Sequence, residues 1–195
     1  MVAVLFARRD SVYKTFPDCD VFDADRDALN YSGGQSIVAH PPCRAWGQLA
    51  HMANPRPGER ELALWAVDMI RLHGGVLEHP RASRLWKEKP LPPVGELDAW
   101  GGFTLQVRQF DWGHKAEKAT KLYVCGCDPA DVPPHPVRVG EPRFVVGTSG
   151  RRKDGTRLGG RPEIPKSERE ATPLAFAEWL VELAGLCRAP IGDLC

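Results

Sequence analysis

The residue best suited to covalent chemistry is Cys43, in the run Ala39-His40-Pro41-Pro42-Cys43-Arg44. A thiol becomes a useful nucleophile when it is partly exposed and nearby positive charge lowers its pKa, and His40 and Arg44 flank this one. Pro41 and Pro42 stiffen the backbone that aims the sulfur, as needed to meet one ring carbon within tenths of an ångström. A second reactive group is Glu78, in Leu77-Glu78-His79-Pro80. A carboxyl there lies at a strand's exit, so it and Cys43 would converge on one sheet edge.

These groups need a scaffold that brings them together. Val2 to Phe6, Asp20 to Phe22, Ser36 to Ala39, Val76-Leu77, Thr104 to Val107 and Leu122 to Cys125 read as short strands. Glu59 to His73 reads as a helix with Leu62, Ala66, Met69 and Ile70 on its apolar face and Gly74-Gly75 at its end. A final amphipathic helix opens at Thr172-Pro173, with Thr172 as its N-cap. Strands alternating with helices and tight loops imply an α/β fold, a Rossmann-like, mostly parallel sheet with helices on both faces and a small irregular basic insertion. In such sheets ligands sit beyond the carboxyl ends of the strands, where Asp23, Cys43 and Glu78 would each follow a strand directly.

Composition sets the outer limits. The chain of 195 residues suits one catalytic core, divided here into residues 1–127 as core, 128–170 as a short basic segment, and 171–195 as a helix returning to the core. Its 43% hydrophobic and 26% charged residues are ordinary for a soluble protein, and no apolar run approaches the roughly 20 residues that cross a bilayer. Six scattered cysteines lack the spacing of a disulfide framework, so reduced thiols and a cytoplasmic location are expected, with no membrane or protein partner implied. Cys125-Gly126-Cys127 lacks the spacing of a zinc site, and no metal is expected. With a net charge of only +1, affinity for nucleic acid must come from a local patch. Arg151, Arg152, Lys153, Arg157 and Arg161, in a glycine-punctuated stretch, are the candidates for contact with DNA phosphates.

The Pro41-Pro42-Cys43 loop after a strand resembles the nucleophile loop of cytosine-C5 DNA methyltransferases. Leu77-Glu78-His79-Pro80 is similar to a variant of the family's acidic loop, keeping the carboxylate. The stretch Trp112 to Val124 looks like its basic motif, with Lys118 and Lys121 where arginines are usual. Leu5-Phe6-Ala7 resembles the first strand, and Asp23-Ala24-Asp25 the acidic motif that holds the cofactor ribose. The resemblance spans most of residues 4–124 in the family's motif order. It implies a DNA cytosine-C5 transferase, a methyltransferase using S-adenosylmethionine. Catalytic roles would fall to Cys43, to Glu78 as a general acid with its pKa raised by enclosure, and to Lys118, and cofactor contacts to Phe6, Asp23 and Asp25.

Pro41, Pro42, His79 and His114 would then line the base pocket, with Trp46 and Trp112 as further candidates, and the base would be flipped out or already single-stranded. The family's glycine-rich cofactor loop is replaced by Ala7-Arg8-Arg9-Asp10-Ser11-Val12-Tyr13-Lys14, whose Arg8, Arg9 and Lys14 suit phosphate groups of the substrate. Two alternatives remain open: the same chemistry on a free pyrimidine nucleotide, and a catalytically silent DNA-binding protein on the same fold.

Overall fold

A computed structural model describes residues 1–47, 50–147 and 160–189. The predicted elements Arg151, Arg152, Lys153 and Arg157 lie outside the described residues. Six strands, β1 (Val2–Leu5), β2 (Cys19–Phe22), β3 (Ser36–Ala39), β4 (Gly75–Pro80), β5 (Phe103–Arg108) and β6 (Ala119–Cys125), form one sheet in the order β2-β1-β3-β4-β6-β5. The first four are parallel, whereas β6 runs antiparallel to both β4 and β5. The fold is thus α/β with a mixed, mostly parallel sheet.

Alternation along the strands divides the core. Ala3, Leu5, Ile37, Ala39, Leu77 and Tyr123 pack on one face with Ala63, Ala66, Val67 and Ile70 of helix α1 (Glu59–His73). Val4, Val38, Val76, Leu122 and Val124 pack on the other with Phe176, Leu180 and Leu183 of α4 (Leu174–Leu186). Two short helices, α2 (Leu85–Glu88) and α3 (Lys166–Glu170), lie between them in sequence.

Helix α1 has the expected bounds, with the Gly74 amide bonded to the Ile70 carbonyl at φ 76°. Its buried stripe is Ala63-Ala66-Val67-Ile70, so the expected Leu62 and Met69 are only half-buried beside it. Small alanines let the helix approach the sheet closely. Thr172 is not the cap of α4: Pro173 takes that position and no side chain caps the helix. Proline at the boundary fixes φ and has no amide to satisfy, so the hydroxyl has no task there.

The most consequential difference from the sequence reading concerns β4, which does not stop at Leu77. Its pairing with β3 ends at Ala39 and Leu77, but its pairing with β6 continues through Glu78 and His79 to Pro80 opposite Thr120. Pro80 is tolerated at the strand's last position, where a missing amide costs least. Glu78 is therefore held in a strand, on the α4 face, just beyond the end of its parallel neighbour.

Candidate active site

Cys43 follows β3 by four residues and opens the 3-10 turn Arg44–Trp46. That turn is pinned from beneath. Arg44 donates from Nε and Nη2 to the two carboxylate oxygens of Glu59, at 2.9 and 2.5 Å, and Glu59 is buried. Arg44 is thus an anchor of the nucleophile loop to α1. Trp46 is fully buried, and its backbone carbonyl accepts from the Arg84 amide at 2.9 Å. The proline pair and this anchor leave Cys43 exposed at the rim of the sheet.

Glu78, whose charge acts on the Cys43 thiol, belongs to a chain of hydrogen bonds that the sequence reading missed. His40 Nδ1 lies 3.1 Å from Glu78 Oε2, and Tyr13 Oη lies 2.9 Å from His40 Nε2. Burial pushes the Tyr13 phenol well above its ordinary pKa, so the hydroxyl keeps its proton and donates to Nε2. The network then assigns the imidazole proton to Nδ1, which donates to Glu78. On the other side Gln109 Nε2 donates to Glu78 Oε1 at 3.1 Å and to Thr120 Oγ1 at 3.2 Å. Tyr13 and Gln109 come from the 3-10 turns Val12–Thr15 and Gln109–Trp112, and with His40, Glu78 and Thr120 five separate segments supply this chain. A tyrosine two turns after a strand and a glutamine after another are too common to be singled out by type alone.

Two expectations about protonation are reversed. Burial would raise the Glu78 carboxyl, but its hydrogen bond from His40 and the nearby charge of Lys118 overcome that and hold it at about 2. Glu78 is a carboxylate at neutral pH, so it is not the resting acid that enclosure alone implied. For Cys43, the protein around its side chain and the Glu78 charge push the thiol above its ordinary value, with Lys118 opposing them only in part. The flanking Arg44 cannot lower it further because Glu59 already neutralises that guanidinium.

Lys118 completes the site. It adopts φ 42°, a left-handed conformation that costs a non-glycine residue energy and recurs at functional positions. Burial lowers its pKa, opposed by Glu78 and Cys43, which places the three side chains within electrostatic reach of one another. Its Nζ donates to the Ala171 carbonyl at 2.9 Å.

The other expected residues fall in different places. Pro41 is buried and Pro42 half-buried in the nucleophile loop. His79 points to the opposite, α1 face of β4, is fully buried near Trp86, and is pushed by burial to about 4. His114 is buried, with Nδ1 against Ala116 and Nε2 3.3 Å from the Glu168 carbonyl. Trp112 packs among Phe176, Trp179 and His135 in the core.

Around β1 and β2, Phe6 takes φ 61° and meets Trp65 edge-on. Asp23 does follow β2 directly, but its Oδ1 accepts the Asp25 and Arg26 amides and its Oδ2 accepts Lys14 Nζ at 2.5 Å. Arg9 pairs with Asp25 and Arg8 with Asp10. Arg161 donates to the Pro142 carbonyl and lies 3.6 Å from Glu141.

Comparison of the chain with family models, curated proteins and solved structures returns no match.

Proposed function

We propose that the protein is a pyrimidine-C5 transferase acting on DNA, in which the Cys43 sulfur adds to C6 of a flipped-out cytosine. The observation that carries this reading is an exposed thiol within electrostatic reach of a carboxylate bonded by His40 and of a lysine in a left-handed conformation. Cytosine C5 is not nucleophilic until a nucleophile has added at C6. As the S–C6 bond forms, the C5=C6 electron pair is displaced into the ring and N3 takes up a proton. The thiol of Cys43 starts protonated and Glu78 starts ionised, so the balance is met if Glu78 takes the thiol proton and passes it to N3. His40, backed by Tyr13, positions the carboxylate and spreads its charge. Lys118 supplies positive charge beside the developing thiolate. C5 of the adduct can then take a proton from water and give up its original hydrogen as a proton to water, after which the S–C6 bond breaks with its electron pair returning to sulfur and the C5=C6 double bond re-forms.

S-adenosylmethionine fits these residues poorly. The turn after β1 carries the Arg8–Asp10 pair and a phenylalanine at positive φ where the resembled family has glycines. The Asp23 carboxylate that would hold a ribose is already saturated by two amides and Lys14. Exchange of the C5 hydrogen with solvent needs no group donor, and it isolates the part of the reaction that this chain's own residues perform.

The test is release of deuterium from a single-stranded oligonucleotide carrying 5-deuterocytosine, with deoxycytidine monophosphate in a parallel reaction. Release from DNA that is lost in Cys43→Ser is expected. Release from the mononucleotide alone would select the free-nucleotide reading. Oligonucleotide binding with no release from either substrate would select a silent binding protein.

A further inference from the structure

Residues 166–171 form a strap whose backbone is held by donors from two distant parts of the chain. Arg8 Nη1 donates to the Ser167 carbonyl at 2.8 Å and Lys118 Nζ to the Ala171 carbonyl at 2.9 Å, while His114 Nε2 lies 3.3 Å from the Glu168 carbonyl. Lys115 pairs with the Glu168 carboxylate at 2.5 Å. The remaining guanidinium nitrogens of Arg8 bond the two Asp10 oxygens at 2.9 and 2.8 Å. None of the residues of α3 is buried; apolar burial flanks the strap at Ile164 and Phe176, and its own residues are held by the polar contacts above. Short, exposed elements of this kind open at little cost.

We propose that Arg8 and Lys118 form the seat of the phosphodiester next to the modified base, and that residues 166–171 fill this seat with their own carbonyls in DNA-free protein. A neutral carbonyl is a weak ligand for a guanidinium or an ammonium; a phosphate oxygen makes shorter, charge-assisted bonds to both. Glu170 already brings an anionic group to the same place, since its charge acts on Arg8, Lys118, Arg44 and Cys43. Lys118 remains in its left-handed backbone conformation while reaching the strap. Among the described residues, the buried Nε of Arg169 has no partner, so the strap in its seated position is incompletely satisfied. The identity of the polyanion rests on the DNA reading above; the occupied cationic seat does not.

The experiment measures binding of a twelve-nucleotide single strand by fluorescence anisotropy across salt, and hydrogen exchange of a peptide covering residues 165–175 with and without that strand. Arg8→Gln and Lys118→Gln are each expected to weaken binding about tenfold at low salt and to flatten the slope of log K against log salt by about 0.7. Glu170→Gln is expected to tighten binding about threefold, and saturating DNA to raise exchange in the strap at least twofold. Cys43→Ser should reproduce every one of these responses, so the seat is read without turnover. Unchanged salt slopes in both folded Arg8 and Lys118 variants, or strap exchange that DNA leaves unaltered, overturns the proposal even if C5 exchange is observed. Strap opening without any C5 exchange instead removes the chemistry and leaves the seat.

Discussion

Two polar networks, each built on a carboxylate, a tyrosine and a nitrogen base, lie on opposite faces of the sheet. On the α1 face, Asp98 Oδ2 accepts from the Tyr123 hydroxyl at 2.7 Å and from Arg71 Nη2 at 3.1 Å, while its Oδ1 accepts the amides of Trp100 and Gly102. The Trp100 ring covers the Arg71 guanidinium at 3.8 Å, and Arg71 Nε also reaches Tyr123. Every oxygen of that carboxylate is engaged, and the adjoining thiol, Cys125, is buried, donates to the Trp100 carbonyl at 3.3 Å and is pushed up by burial to about 11. On the α4 face, Glu78 has one donor on each oxygen, the buried Gln109 Oε1 has no partner among the described residues, and an exposed thiol and a strained lysine stand alongside. Closed networks fix a fold, whereas open ones retain capacity for a further ligand. The contrast assigns structure to one and chemistry to the other.

That contrast can be broken by mutation. The largest effect expected is at the nucleophile: Cys43→Ala should reduce C5 exchange by about 10⁴-fold or more with melting unchanged, measured by deuterium release and calorimetry. Equal loss of activity and stability would deny the thiol a chemical role. Asp98→Ala should do the opposite, destabilising the protein by about 3–5 kcal/mol in urea unfolding because Arg71 is left buried without its partner, with exchange per folded molecule unaffected. Glu78→Gln should leave the fold intact and slow exchange by about a hundredfold, and wild-type rates in that variant would remove Glu78 from the mechanism.

A smaller effect sharpens the comparison through pH. His79 is held below its ordinary 6.5, at about 4, by burial, so the unfolded chain binds its proton first. The associated stability is complete above about pH 6.5 and declines as pH falls towards 4. Glu78, held at about 2 against an ordinary 4.5, adds a second decline only below pH 4.5. His79→Gln should flatten the upper part of the stability profile, from pH 6.5 to 4, and leave the lower part, as seen by urea midpoints at each pH. The smallest expectation is at Thr172: with no capping bond to lose, Thr172→Ala should change stability by under about 0.3 kcal/mol.

Short-range signals in the chain located the principal elements. Apolar runs closed by a basic stretch, by proline or by glycine placed β1, β3 and α1 within a residue of their observed bounds, because burial period and turn chemistry act locally. Cys43 was legible for the same reason, since two prolines after a strand describe a stiff exit whatever lies around it. The apolar stripe of α1 was displaced because alanine's small size matters only once a sheet is known to press against it.

The amino-acid order alone thus determined where the chain turns, which face of each strand is apolar, and that a thiol and a carboxyl could meet beyond the parallel strands. Only the tertiary structure decided what those groups are. Antiparallel β6 carried β4 past Leu77 and held Glu78 within a strand, and His40, Tyr13 and Gln109 arrived from three other segments to build its network, the His40 bond and the Lys118 charge keeping it ionised. A proton's affinity for a side chain depends on charges and dipoles within a few ångströms, and those neighbours are set by folding and not by sequence proximity.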